Sequence, residues 1–181
     1  ENIINLYEYK KLNYDFDQLY EGSNIRFQEA IVLLNEDRFN LPNKVRRAYF
    51  LIATGLEIEF KHRTRNLNLD DMKELIQFDF NVENYQDTEK FSLGNFIYLI
   101  KIFPELIEKT QFKMNKIKLI TIHPKLDNFI ELLSFILNKR NVIVHPSIKT
   151  KEDKEKILEG VSDFRKKFLE GCFFEVLCSK V

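Results

Sequence analysis

The chain has 181 residues, a mass of 21.7 kDa, 44% hydrophobic and 31% charged residues, and only 5 Gly and 4 Pro, a composition that suits one ordinary globular domain and excludes disorder, collagen and a Gly-rich β-sandwich. Its 28 basic and 28 acidic side chains cancel, so no global field steers the protein toward a polyanion or an anionic membrane, and any such affinity must be local. The longest nearly apolar stretch, Ala48 to Leu56, is about half of the roughly 20 residues that span a bilayer, and no charged-then-apolar leader opens the sequence; the expectation is a cytoplasmic chain with no membrane partner. Cys172 and Cys178, separated by five residues, are expected as reduced thiols rather than a staple. The sequence begins at Glu1, not Met, which leaves room for a neighbouring domain.

Charge is unevenly distributed. Residues 1–37 carry 3 basic and 8 acidic groups, 38–65 carry 7 and 2, 66–90 carry 2 and 7, 91–151 carry 10 and 4, and 152–181 carry 6 and 7. Apolar residues at helical spacing interrupt both basic segments, the pattern of amphipathic helices with basic faces.

In chain order, residues 1–22 form an N-terminal arm. Ser23 or Asn24 is positioned to cap a helix whose apolar residues Ile25, Ala30, Ile31, Leu33 and Leu34 recur near 3.6 before Asp37. Pro42 suits a first helical position, and Val45, Ala48, Tyr49, Ile52, Leu56 and Phe60 then repeat at three and four to about Arg65. Asn68 or Asp70 starts a short helix over Met72, Leu75 and Ile76, followed by a polar connection from Asn81 to Lys90. Ser92 opens another through Phe96, Leu99 and Ile100, which Pro104 kinks or restarts toward Thr110. Lys and Ile alternate within residues 112–122, a pattern open to a short extended piece in a helical context. Pro124 begins the most regular helix, striped by Leu126, Phe129, Ile130, Leu133, Leu137 and Val144 and ended by Pro146. A last helix is expected from roughly Lys151 to Val176. The sum is a single all-α domain, residues 1–181, with no internal repeat.

Gly-rich phosphate loops, G-x-S-x-G, His-Glu-x-x-His and Cys-x-x-Cys are missing from the sequence, and His62, His123 and His145 each lack a second ligand type at metal spacing. No cofactor and no metal are therefore expected. Glu57 and Glu59 lie two apart on different helix faces, which suits a solvated pair, or internal partners for Lys61 and Arg63, better than a carboxylate dyad.

One hexapeptide carries usable chemistry: Arg140-Asn141-Val142-Ile143-Val144-His145, directly before Pro146. A guanidinium clamps a phosphate through two hydrogen bonds, and an imidazole titrating near neutrality moves the proton of a ribose hydroxyl. Together they can cleave RNA without a metal, with Arg140 stabilising the pentacoordinate phosphate and His145 acting as acid or base. Asn141 and His145, at i and i+4, share a helix face, while Arg140 and His145 are displaced by about 140° around it. One protomer thus offers half a site, and two copies about a two-fold axis complete it. Lys139, Lys149 and Lys151 are expected to bind RNA phosphates around it. With 8 Arg, 16 Asn and 3 His in the chain, chance expects about 0.01 occurrences of Arg-Asn-x-x-x-His. A purely structural role for the same residues is a helix C-terminus in which His145 meets the dipole and Arg140 and Asn141 bond carbonyls or acids.

An all-helical chain with this hexapeptide ending a late helix, preceded by Leu93-Gly94-Asn95-Phe96 opening an earlier one, resembles the HEPN superfamily of ribonucleases. Ala30 to Lys61, a short amphipathic helix followed by a long one ending in Glu57, Glu59 and Lys61, is similar to abortive-infection proteins of the AbiV type. The resemblance implies a HEPN-like bundle with a long antiparallel helix pair and short additional helices. It further implies an anti-phage or toxin endoribonuclease with Arg140 and His145 catalytic and Asn141 orienting, a homodimer, and a phage-encoded activator or cognate antitoxin as a possible partner. A second HEPN group, the accessory ribonucleases of type III CRISPR systems, is also similar, although there a nucleotide-sensing domain precedes the HEPN part. The competing expectation is a catalytically silent module that binds a nucleotide or a phage or partner protein through the same basic surface.

Overall fold

A computed structural model describes residues 19–64, 91–98, 125–144, 150–170 and 172–178. Their regular structure is all-α: α1 (Glu21–Asn35), α2 (Pro42–Thr64), a short helical segment at 93–98, α3 (Leu126–Val144), α4 (Lys151–Leu158), α5 (Val161–Leu169) and α6 (Cys172–Leu177). Among the described residues no helix is long and apolar enough to cross a membrane. The first eighteen residues of the arm, the expected helix over Met72–Ile76, the connection 81–90, Pro104–Thr110, the ambiguous 112–122, Pro124 and Pro146 lie outside the described residues.

Helices α1 and α2 form an antiparallel hairpin. Its ladder runs from the Tyr20 backbone N–H donating to Glu59 Oε2 (2.9 Å) at one end, through Phe27 against Gly55, to the Lys44–Glu36 ion pair beside the turn. The approach at mid-ladder requires glycine, since a Cβ on Gly55 would stand 2.9 Å from the Phe27 ring. Pro42 is the first residue of α2, as its fixed φ and missing N–H favour. The start of α1 differs from expectation. Neither Ser23 nor Asn24 caps it; Tyr20 occupies that position, and Ser23 is fully buried with its hydroxyl unpartnered among the described residues. The helix is drawn back to Glu21 because the amide of Tyr20 is anchored on the buried Glu59 carboxylate, a long-range bond that local spacing does not encode.

The core is aromatic. Phe27, Phe129, Phe168, Phe173 and Phe174 are each fully buried, with Phe129 stacked on Phe173 at 5.1 Å and Phe168 tilted against Phe173 at 4.6 Å. Tyr49 meets Phe135 at 6.0 Å and Phe164 at 5.4 Å, so α2, α3 and α5 share one packing layer. The inner face of α3 is Phe129, Leu132, Leu133, Ile136 and Ile143, so the buried stripe is rotated slightly from the expected one, and Ile130 and Leu137 lie at its margin. Segment 93–98 opens as expected at Ser92, whose N–H and hydroxyl both donate to Asn95 Oδ1 at 2.8 Å. It packs through Phe96 against Phe60, with ring centroids 5.6 Å apart.

The expected single C-terminal helix is three. Thr150 and Asp153 form a capping box that starts α4. Gly160 then takes φ +70, the left-handed conformation that a helix interior cannot hold, and α5 restarts at Val161. This break folds Val161, Phe164 and Phe168 back onto the core.

Candidate functional site

Arg140 lies one turn before the end of α3, where the helix leaves the core. The stripe that buries Ile136 and Ile143 leaves Arg140 with 34% of its side chain exposed and Asn141 exposed. Two residues of α2 reach this end of α3. Glu57 Oε2 lies 3.7 Å from Arg140 Nη2, while its other oxygen accepts from Lys61 Nζ at 3.2 Å. Arg46 Nη2 donates to the carbonyl oxygen of Ile143, inside the hexapeptide, at 3.3 Å. Residues far apart in sequence thus meet, with Lys61 and Arg140 at the Glu57 carboxylate and Arg46 at the Ile143 carbonyl. His145 follows Val144 directly in the chain and, with Lys149, lies outside the described residues.

The remaining expected site residues divide. Lys151 is 89% exposed at the start of α4, with a loose 3.7 Å pairing to Glu155, and is open to a polyanion. Lys139 is placed otherwise than expected of an RNA-binding residue: it is 9% exposed, its ammonium donates to the carbonyl of Lys156, and it lies over the Phe135 ring at 5.4 Å. Burial holds its pKa below the ordinary lysine value, with the charge of Glu159 opposing. The physical reason is its phase on α3. Position 139 continues the buried stripe three residues after Ile136, and its long side chain spans to the last turn of α4 rather than to solvent.

Glu57 and Glu59 do lie on different faces. Glu57 is the partner of Lys61, as the spacing suggests, and of Arg140, which the spacing could not show. Glu59 is buried against Tyr20. His62 is remote in role, stacked on Tyr20 with centroids 4.6 Å apart. Among the described residues no three His, Cys, Asp or Glu side chains are grouped as a metal site.

The sequence matches no family model, and no curated protein and no solved structure matches the chain. Its chemistry is therefore read from its own residues.

Proposed function

We propose that the protein is a metal-independent endoribonuclease of an anti-phage abortive-infection or toxin system, cutting single-stranded RNA to leave a 2′,3′-cyclic phosphate and a 5′-hydroxyl, with an Arg140/His145 site formed across a homodimer. The observation that supports this reading is the hexapeptide itself, whose half-buried Arg140 and exposed Asn141 stand near the end of a helix otherwise committed to the core. Arg140 stabilises charge on the phosphate, Asn141 orients, and His145 transfers the proton to or from a ribose oxygen. Lys151 and Lys149 add electrostatic attraction to the RNA backbone. The HEPN and AbiV resemblance belongs to the same proposal, as do the cytoplasmic location and a phage-encoded activator or cognate antitoxin.

The Glu57–Arg140 pair favours a second reading. A phosphate reaching Arg140 must displace a carboxylate 3.7 Å away, which also suits a silent module that binds a nucleotide or a partner protein, or the HEPN part of a type III CRISPR accessory ribonuclease. Incubating the protein with labelled RNA in EDTA separates a ribonuclease from the silent module. The endoribonuclease cleaves in chelator and loses activity in Arg140→Ala and His145→Ala, while both variants stay folded with a stability loss of only about 1 kcal/mol at a helix end. Activity that needs magnesium and ignores both substitutions contradicts the mechanism.

A further inference from the structure

The end of α3 presents an electrostatic difficulty to any phosphate. The last carbonyls of a helix carry roughly half a negative charge between them, and the hexapeptide occupies that negative end. A scissile phosphate brought to Arg140 therefore approaches an unfavourable dipole unless a cation offsets it. Arg46 is the cation the fold supplies there. Its guanidinium, half-buried on α2, is bonded to the Ile143 carbonyl at 3.3 Å. The neighbouring cations on the same helix are otherwise engaged: Lys44 pairs with Glu36, Arg47 with Glu29 and Lys61 with Glu57. No carboxylate among the described residues pairs with Arg46. One of its five N–H donors serves Ile143, and the planar fork retains the donors that phosphate recognition uses.

We propose that Arg46 is a further RNA-binding residue of this site: anchored to the hexapeptide through the Ile143 carbonyl, it contacts a backbone phosphate of single-stranded RNA beside Arg140. The proposal rests on the ribonuclease reading and deepens it by adding a residue from the first basic segment. The role of Arg46 is to bind and to offset the helix-end dipole, not to transfer a proton.

The test measures binding apart from cleavage. A fluorescein-labelled single-stranded RNA is titrated by anisotropy with His145→Ala protein in EDTA, across KCl from about 50 to 300 mM, and each phosphate contact contributes about 0.7 to the slope of log affinity against log salt. Adding Arg46→Gln is expected to weaken low-salt binding about 5- to 10-fold and to flatten that slope by about 0.7, whereas Arg46→Lys, which keeps the charge, retains the slope. An unchanged affinity and slope in Arg46→Gln overturns the proposal while leaving the ribonuclease reading standing. So does weaker binding with an unchanged slope, which would make Arg46 a prop for the helix end only. If Arg46→Gln does not fold, Arg46→Lys decides, because loss of the slope despite retained charge also counts against a phosphate contact. Absence of RNA binding by the His145→Ala protein itself overturns both the reading and the proposal.

Discussion

Tyr49 carries its hydroxyl into the middle of the aromatic layer, fully buried and without a hydrogen-bond partner among the described residues. Burial pushes its pKa well above the ordinary tyrosine value of 10.0. A group whose folded pKa is raised contributes stability that is present below the unfolded pKa and lost as pH climbs past it, so the fold should weaken above about pH 10. Tyr49→Phe keeps the ring contacts with Phe135 and Phe164 and removes the orphaned polar atom. It is expected to raise stability by about 1 kcal/mol at neutral pH and to remove the part of the alkaline loss that Tyr49 causes. Urea melts of both proteins at neutral and alkaline pH measure this, and a destabilised Tyr49→Phe would show that the hydroxyl has a partner after all. At this scale the sequence singles out Arg140 and Asn141 as candidates, because three polar residues end an apolar stripe, but it shows neither the Arg46–Ile143 bond nor the Glu57–Arg140 pair. Those depend on where α2 crosses the end of α3, and a crossing leaves no mark on local spacing. Lys139 shows the complementary limit: a lysine's charge suggests the surface, and its phase relative to Ile136 and Ile143 turns it inward.

Helix boundaries illustrate which local signals survive folding. Pro42 and the Thr150–Asp153 capping box start their helices where the sequence expects, because each satisfies its backbone groups within one turn. Ser23 fails as a cap because Glu59, a long-range partner, takes over the start of α1. The C-terminal region fails differently. Periodicity alone reads residues 151–176 as one helix, and Gly160 breaks its first part by adopting φ +70. Gly160→Ala should accordingly cost about 1–2 kcal/mol, since a Cβ is disfavoured in that conformation and would also press to 3.4 Å from the Phe135 ring. A thermal melt showing no loss would mean that the α4–α5 junction relaxes into another geometry. If instead α4 and α5 fused into one helix, the far-ultraviolet helical signal would rise and Phe164 and Phe168 would be pulled from the core.

For the whole molecule, the aromatic content looks excessive for a chain of this size until the core is seen. Ten of the 17 phenylalanines, Phe27 and Phe39 in the hairpin among them, are buried within one protomer. The proposed homodimer rests on the chemistry of the site. A lone Arg140 and His145 make a thin site, whereas two hexapeptides about a two-fold axis double the positive charge at the phosphate and allow one histidine to act as acid and the other as base. Mixing the inactive Arg140→Ala and His145→Ala proteins tests this most directly, with RNA cleavage in EDTA as the readout. The account predicts that the mixture regains activity, because one intact Arg140 and one intact His145 from different chains meet in the heterodimer. A wild-type protein that cleaves RNA while remaining strictly monomeric by light scattering, with no activity recovered on mixing, would contradict it.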